Sequence, residues 1–314
     1  MPLVPGRDIL ADARQGGYAV GAFNFNNLEQ LQAIVEAAKA ERSAVFLATS
    51  EGAIHYAGVD YLVALARTAA ASCPEPLVLH LDHGRDLELI AQCINAGYTS
   101  VMIDASNMPY EENRRVTRLV AEMAHRRGVS VEAELGKLKG VEDIVSVSER
   151  DAVLVDPEQA QEFVKTTGID SLAPAIGTAH GAFKFKGEAK LDFDRLARVR
   201  DLSGIPLVLH GASNVPEAIV ALATRYGAKV AGARGVPTAE IQRAIRLGVC
   251  KVNVDTDLRL ALVSAIRQVL TEQPAEIDPR RILGSARDAM TEIVRARIRA
   301  FRMREPQMNT DEHR

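Results

Sequence analysis

Two short segments combine the pattern of an apolar strand with residues that can bind a metal or carry a proton. Residues 79–84 (Leu-His-Leu-Asp-His-Gly) and residues 209–213 (Leu-His-Gly-Ala-Ser) begin as apolar runs and end in ionisable and small side chains. Neutral imidazole is the commonest nitrogen ligand of zinc, and a carboxylate beside it can transfer protons. Because the pattern occurs twice, the sequence predicts one site assembled from several strand ends.

Three of the 7 histidines lie at or just after predicted strands, namely His83, His180 and His210. Three imidazoles leave positions on zinc open to a substrate, which is typical of catalytic zinc sites. For a single histidine, a hydrogen bond in the core or in a loop would be the simpler interpretation, but three at strand ends favour a metal. His80 can either orient a ligand or pack in the core.

Three acidic residues also follow predicted strands. Asp82 precedes His83 and can move protons to and from a hydroxyl group beside a metal, or it can cap a helix or form a salt bridge. Asp104 and Glu134 can hold a second divalent ion, or they can form ion pairs with Lys or Arg. The sequence leaves these alternatives open.

A short apolar run followed by a segment with helical spacing of apolar residues recurs eight times along the chain. Near-continuous apolar runs are typical of strands buried on both faces, and eight such units in about 250 residues are typical of a (β/α)8 barrel. The sequence therefore predicts an α/β protein with the TIM-barrel fold. The predicted strands are 19–23, 44–48, 77–81, 100–103, 130–133, 171–176, 207–210 and 251–254.

The barrel accounts for residues 1–304 as a single domain, and the polar residues 305–314 are predicted to form a flexible tail. A short helix precedes the first strand at residues 7–15, and one or two extra helices follow the barrel within residues 279–304. Pro174 lies inside the sixth predicted strand, where a proline removes a ladder hydrogen bond and leaves the register of that strand open.

The active site of such a barrel lies at the carboxyl ends of its strands. Each predicted strand ends in polar, ionisable or glycine-rich sequence, which supports the barrel interpretation. The residues at these ends include Asn24, Ser50, Glu51, Asp82, His83, Asp104, Glu134, His180, His210 and Asn253.

Turns at residues 177–181, 211–213 and 253–256 follow the sixth, seventh and eighth predicted strands. Barrels frequently bind phosphate here through backbone N–H groups and a helix N-terminus, so the three turns together predict a phosphate site. The charged connection at residues 137–150 is either a lid or a solvated excursion.

The composition limits the possible classes of function. Of the 314 residues, 47% are hydrophobic and 25% are charged, and the net charge of -3 gives no general attraction to nucleic acid or anionic membranes. We expect no transmembrane segment, no signal peptide and a cytoplasmic location. Cys73, Cys93 and Cys250 lack the spacing of metal or redox motifs. The arginine-rich segment near residue 297 is expected to form a helix that packs against a partner subunit.

Five motifs resemble those of the class II, metal-dependent fructose-bisphosphate and tagatose-bisphosphate aldolases. The resemblance covers nearly the whole chain, from Gly21 to Arg280. The motifs are His-Leu-Asp-His-Gly at 80–84, Val-Glu-Ala-Glu-Leu-Gly at 131–136, Ala-Ile-Gly-Thr-Ala-His-Gly at 175–181, Leu-His-Gly-Ala-Ser at 209–213 and Lys-Val-Asn-Val-Asp-Thr-Asp at 251–257.

This resemblance implies a lyase that reversibly splits a ketose 1,6-bisphosphate into dihydroxyacetone phosphate and glyceraldehyde 3-phosphate, a reaction of glycolysis and gluconeogenesis. It implies a zinc ion (Zn2+) held by His83, His180 and His210, which polarises the carbonyl group of dihydroxyacetone phosphate and stabilises its enediolate. It further implies that Asp82 transfers the proton of the C4 hydroxyl and that Glu142, in a mobile loop, assists proton abstraction.

The resemblance also implies the remaining contacts. Asp104 and Glu134 match positions that can take a second divalent ion, and a monovalent cation (Na+ or K+) is expected near the phosphate. Arg280 resembles an arginine that reaches the distal phosphate bound to a neighbouring subunit, which implies a homodimer or homotetramer. The matching substrate-binding positions are Asn24, Ser50, Gly181, Gly211, Ala212, Ser213, Asn253, Val254, Asp255 and Thr256.

Fructose 1,6-bisphosphate is the expected substrate. Tagatose 1,6-bisphosphate is the nearest alternative, because it differs only in the configuration at C4 and no residue decides between them. More distant alternatives are a barrel hydrolase that uses a metal to activate water, and an inactive barrel that serves only in binding.

Overall fold

The computed structural model describes residues 3–137, 139–142, 145–147, 153–180 and 191–303; of residues 139–142, 145–147 and 180 it describes the backbone. Parallel pairing closes eight strands into a barrel in the order β1, β2, β3, β4, β5, β8, β10, β11, while β6, β7 and β9 form a small second sheet. The predicted α/β barrel is confirmed. The strands are β1 Val20–Asn24, β2 Val45–Ser50, β3 Leu77–Gly84, β4 Ser100–Ile103, β5 Ser130–Leu135, β6 Lys139–Glu142, β7 Val145–Val147, β8 Ser171–Pro174, β9 Ala179–His180, β10 Leu207–Leu209 and β11 Val249–Val254.

The helices surround the barrel, and several of them begin at a side-chain cap. Asn27, Asp86, Asp156 and Asp192 each accept a hydrogen bond from the first turn of the helix that follows. The helices are α1 Gly6–Gly16, α2 Leu28–Glu41, α3 Glu51–Ala57, α4 Val59–Ser72, α5 Leu87–Ala96, α6 Tyr110–His125, α7 Pro157–Thr167, α8 Phe193–Ser203, α9 Glu217–Arg225, α10 Thr238–Arg246, α11 Thr256–Glu272 and α12 Pro279–Arg302.

Pro174 does not disturb the pairing of its strand. It is the last residue of β8, and the register from Ser171 opposite Glu132 to Pro174 opposite Leu135 is regular. The backbone N–H of Ala175 then donates to the carbonyl of Leu135 at 2.9 Å. A proline at the end of a strand removes one donor without interrupting the ladder, so the register left open by the sequence is regular.

Helix α12 packs against other helices of its own chain. The arginine-rich helix was expected to contact a partner subunit, but it packs on α2 and α11 of its own chain. Arg295 and Arg299 bind the carboxylate of Glu41, and Arg297 is buried beside Asp257. Charge periodicity shows that a helix has a basic face but not which acids that face will meet, and a contact of this helix with a partner subunit stays a prediction.

The three cysteines are free and buried. None of the helices that the structure describes has both the length and the apolar character needed to cross a bilayer.

Candidate active site

A β-bulge places Asp82 and His83 together at the end of β3. The pairing of β3 with β4 changes from Leu81 opposite Val101 to Gly84 opposite Ile103, so β3 has one extra residue at this point. His83 has a φ of 52°, in the left-handed region that residues with a Cβ rarely adopt. Successive residues of a regular strand point to opposite faces. The bulge therefore lets two neighbouring side chains reach the same site.

Asp82 is fixed by two amide side chains from other barrel strands. Its Oδ2 accepts a hydrogen bond from Asn24 Nδ2, and its Oδ1 accepts one from Asn253 Nδ2, both at 2.9 Å. Ser50 is its neighbour in the β2–β3 register. The cap of α5 is Asp86, so Asp82 does not cap this helix. The carboxylate is buried and held in a defined plane, as proton transfer requires.

Asp104 orients the ring of His83. Its Oδ2 lies 3.0 Å from Nδ1 of His83 and 2.7 Å from a guanidinium nitrogen of Arg85, while Ser106 Oγ donates to its Oδ1 at 2.7 Å. Burial alone would raise the pKa of Asp104, but the hydrogen bond from His83 and the charge of Arg85 hold it well below its usual range. Of the two roles left open for Asp104, the structure shows the ion pair.

His210 lies between two buried glutamates. Its Nδ1 is 2.9 Å from Oε2 of Glu134, and its Nε2 is 2.9 Å from Oε1 of Glu132. Burial works to lower the pKa of His210, but the hydrogen bonds to the two carboxylates outweigh it and raise the pKa to about 9. The ring centroids of His83 and His210 are 4.6 Å apart.

A buried lysine supports this arrangement from inside the barrel. Lys251 Nζ, on β11, lies 3.0 Å and 2.9 Å from the two carboxylate oxygens of Glu132, on β5, and 3.2 Å from Nε2 of His80. Burial, and then the charge of Lys251, lower the pKa of His80 to about 3. His80 is therefore a packed histidine of the barrel interior, and its Nδ1 contacts Ser100 Oγ at 2.8 Å.

The loop after β10 lies against the start of α11. Gly211 has a φ of 59°, and a Cβ there would lie 2.5 Å from the carbonyl oxygen of Ala179, next to His180. Ser213 Oγ accepts a hydrogen bond from the backbone N–H of Asp255 at 3.3 Å. Loop N–H groups and a helix N-terminus together favour an anion. We call residues 211–213 with Asp255 and Thr256 the cradle.

Asp82, His83 and His210 form a buried group that could bind a metal. Each offers one ligand atom, and these atoms all lie within 4.8 Å of one another. Two imidazoles and a carboxylate are ligand types that Zn2+ accepts. The donor set therefore fits a divalent metal ion.

Comparison with known proteins agrees with this geometry. A family model for class II fructose-bisphosphate aldolase matches residues 4–305. The chain belongs to the class II fructose-bisphosphate aldolase family. It is 50% identical over 298 residues to a fructose-bisphosphate aldolase of Helicobacter pylori, covering 95% of this chain and 97% of the relative. It is 49% identical over 302 residues to a fructose-bisphosphate aldolase of Thermus caldophilus, covering 95% and 98%.

The fold is shared as well. The crystal structure of the YdjI aldolase from Escherichia coli K12 matches with a TM-score of 0.79 and 32% sequence identity, covering 95% of this chain and 97% of that chain. Membership of the class II fructose-bisphosphate aldolase family makes the chain a lyase of a metal-dependent family, with sugar phosphates as the expected substrates.

Some residues expected from the aldolase resemblance lie outside the described part of the chain. These are Gly181, the tail at 305–314 and the side chains of Glu142 and His180. The backbone of His180 is described, and β9 pairs with β6 with Gly140 opposite His180. The connection after β5 is thus partly a strand pair of β6 and β7 rather than only a solvated excursion.

Two buried charged residues that contact the site histidines were missed by sequence reasoning. Glu132 and Lys251 lie within motifs that we quoted, but no role was assigned to them. A charged residue inside an otherwise apolar strand was the available signal, because such a residue is seldom buried without a partner. Arg280 is the second residue of α12, and its side chain is 89% exposed and paired with Asp278.

Proposed function

We propose that this aldolase reversibly cleaves fructose 1,6-bisphosphate to dihydroxyacetone phosphate and glyceraldehyde 3-phosphate, with Zn2+ as its metal. One observation carries the proposal. The carboxylate of Asp82, held by two amides, is buried within 4.8 Å of two imidazoles at the carboxyl ends of the barrel strands. A base beside a divalent-metal site is what metal-dependent aldol cleavage needs.

His83 and His210, with His180 assigned by the resemblance, would hold the metal. When bound, the ion supplies electrostatic stabilisation of the negative charge that develops on the substrate when the carbon–carbon bond breaks. Asp104 keeps the ring of His83 in place, and Glu132 does the same for His210. These contacts fix both rings before substrate arrives.

Asp82 accepts the proton of the C4 hydroxyl in the cleavage direction. As the C3–C4 bond breaks, C4 becomes the aldehyde carbon of glyceraldehyde 3-phosphate, and the bonding electron pair passes to C3 of the dihydroxyacetone phosphate half. Glu142 then assists the proton transfer at C3. In the synthetic direction the same residues act in reverse.

The cradle binds the phosphate of the dihydroxyacetone phosphate half through loop N–H groups, Ser213 and the N-terminus of α11. Gly181 and a monovalent cation complete this end, while Asn24 and Ser50 contact the substrate beside Asp82. The exposed Arg280 binds the distal phosphate of a neighbouring subunit, so the active form is a homodimer or homotetramer. Asp104 and Glu134 remain candidates for a second divalent ion.

The test measures cleavage of fructose 1,6-bisphosphate before and after complete chelation, and again after addition of Zn2+. Chelation abolishes activity and Zn2+ restores it, whereas borohydride with substrate leaves activity unchanged because no lysine Schiff base forms. Full activity in a verified metal-free sample rejects the mechanism. Values of kcat/KM for fructose and tagatose 1,6-bisphosphate decide the preferred ketose. A higher value for tagatose 1,6-bisphosphate would make it the substrate in place of fructose 1,6-bisphosphate.

A further inference from the structure

The turn that follows the cradle contains a strained valine. Val215 has a φ of 52°, in the left-handed region. A β-branched side chain makes this conformation unfavourable, so it persists only where the surrounding contacts impose it. The contacts that impose it come from elements remote in sequence.

Asp257, in the first turn of α11, holds the turn. Its Oδ1 accepts a hydrogen bond from the backbone N–H of Val215 at 2.8 Å, and its Oδ2 accepts one from the backbone N–H of Asn214 at 3.3 Å. The side chain of Asp257 is fully buried. A buried carboxylate is stable only when a positive charge or several donors compensate it.

Arg297 supplies that positive charge from α12. Its Nε lies 3.6 Å from Oδ2 of Asp257, and its terminal nitrogens lie 3.3 Å from Asn214 Oδ1 and 3.3 Å from Thr238 Oγ1. The side chain is 9% exposed. Arg297 thus contacts the strained turn both directly, through Asn214, and through Asp257.

The strained turn sets the position of the cradle. Ser213 is the residue before Asn214. Its carbonyl accepts a hydrogen bond from the backbone N–H of Val236 at 3.1 Å, and its hydroxyl accepts one from the backbone N–H of Asp255 at 3.3 Å. A Cβ on Gly235 would lie 2.0 Å from the carbonyl oxygen of Ser213, so the backbone of Ser213 is closely packed against Gly235. Movement of Asn214 and Val215 would therefore separate the loop from the N-terminus of α11.

We propose that Arg297 is a positioning residue for the cradle. Through Asp257 it keeps Asn214 and Val215 in the strained turn, and thereby keeps the loop donors and the helix N-terminus aimed at one phosphate. The extra C-terminal helix, which lies outside the eight βα units, thus determines phosphate affinity without contacting phosphate. This inference rests on the proposed function of the cradle.

The test compares Arg297→Met with wild type by three measurements: KM for fructose 1,6-bisphosphate, affinity for inorganic phosphate by calorimetry, and bound metal. We expect KM and the phosphate dissociation constant to rise about tenfold, because the strained turn at Asn214 and Val215 relaxes when Arg297 no longer holds it. Metal content stays at the wild-type value. Arg297→Lys, which restores a positive charge, recovers part of the affinity and serves as the folded variant if Arg297→Met is insoluble.

A second substitution separates positioning from general destabilisation. Glycine adopts a positive φ without strain, so Val215→Gly in the Arg297→Met background recovers phosphate affinity although it also removes a buried side chain. If Arg297→Met weakened phosphate binding only through loss of packing, the double variant would bind phosphate more weakly than Arg297→Met. Arg299→Met, on the same helix but 56% exposed, is the matched control and leaves both binding values unchanged.

The outcomes distinguish the two proposals. If wild type cleaves the substrate and soluble Arg297→Met or Arg297→Lys binds phosphate as wild type does, Arg297 has no positioning role. If wild type binds phosphate but cleaves no ketose bisphosphate, the proposed function fails. Weaker phosphate binding by Arg297→Met would still support the positioning role of Arg297. If wild type binds no phosphate, both proposals fail.

Discussion

Within the part of the chain that the structure describes, Asp82 accepts side-chain hydrogen bonds from two amides, those of Asn24 and Asn253. Amide N–H groups fix the orientation of a carboxylate through hydrogen bonds. Asp104 differs, because Arg85 and His83 surround it and lower its pKa. The two aspartates therefore suit different tasks: Asp82 can exchange a proton, and Asp104 can hold a ring in place.

Replacing the base tests this division. Asp82→Ala is expected to lower kcat by a factor of about 10²–10⁴, the usual contribution of a positioned acid–base group, while the bound metal is retained. Steady-state kinetics and metal analysis of the same sample check it. Asp86→Ala is the matched control, because it removes the cap of α5 and leaves kcat unchanged. Loss of metal together with kcat would instead make Asp82 a ligand.

Residue types indicated most of the site before the structure. Histidines and acids at strand ends are unusual enough to be noticed singly, and Asp82, His83 and His210 are indeed together. Glu132 and Lys251 could not be assigned, because their meaning depends on a contact between β5 and β11, which are 119 residues apart in sequence. No local pattern shows which buried charge will find which partner.

At the scale of elements, the loop after β10 depends on a close approach to β9. Gly211 combines a φ of 59° with a Cβ position only 2.5 Å from a backbone oxygen. Backbone atoms cannot move aside as the tip of a flexible side chain can. Any side chain at this position must therefore push the cradle away from the strand that carries His180.

Gly211→Ala is expected to raise KM for the bisphosphate about tenfold and to lower the melting temperature, because it adds both backbone strain and a clash. Gly168→Ala provides the comparison. Gly168 has a φ of 72° at the end of α7, but no atom lies within 4 Å of its would-be Cβ. We expect that variant to lose about 1 kcal/mol of stability and to keep its KM. Equal kinetics for the two variants would contradict the role of the close approach.

Elements were predictable where their signals are local. Eight apolar runs, aspartate caps such as Asp156 and glycines after helices gave the alternation of strands and helices. The strand pair β6–β7 was not foreseen, because its pairing with β9 joins segments on either side of α7. The bulge in β3 could not be predicted from the sequence either, because a bulge exists only relative to the register of the neighbouring strand, here β4.

At the scale of the whole molecule, α12 closes the structure by joining the end of the chain to α2. Glu41, at the end of α2, accepts hydrogen bonds from Arg295 at 2.8 Å and from Arg299 at 2.9 Å. Burial would raise the pKa of Glu41, but the two arginines lower it below its usual value. A carboxyl group with a lowered folded-state pKa stabilises the folded state above its unfolded pKa, and that contribution is lost as pH falls through the folded value.

Glu41→Gln is accordingly expected to lower the melting temperature at pH 7, by the few degrees that correspond to about 1 kcal/mol. The difference from wild type should shrink as pH falls below about 4.3, the unfolded pKa of glutamate, and disappear once Glu41 is protonated in both states. Thermal melts across this range measure it. Glu36→Gln, at an exposed position of α2, is the control and should leave the melting temperature at pH 7 unchanged. A difference between Glu41→Gln and wild type that stays constant with pH would refute the account.

At this scale, the packing of α12 on its own chain was not foreseen. Its arginines were expected to face another subunit, yet Arg295, Arg297 and Arg299 all bind acids of the same chain. A helix that follows the last barrel unit can cover any of several neighbours. Only the three-dimensional path of the chain decides that it covers α2 and α11.

The extra residue in β3 has a consequence for anyone who would transplant this chemistry. Copying an aspartate and a histidine onto consecutive positions of a regular barrel strand would send one inward and the other into the surrounding helices. The unit to graft is the kinked tripeptide Asp82-His83-Gly84 together with the β4 edge that tolerates it. Deleting one residue from this stretch would leave the composition of the site almost intact and its geometry lost.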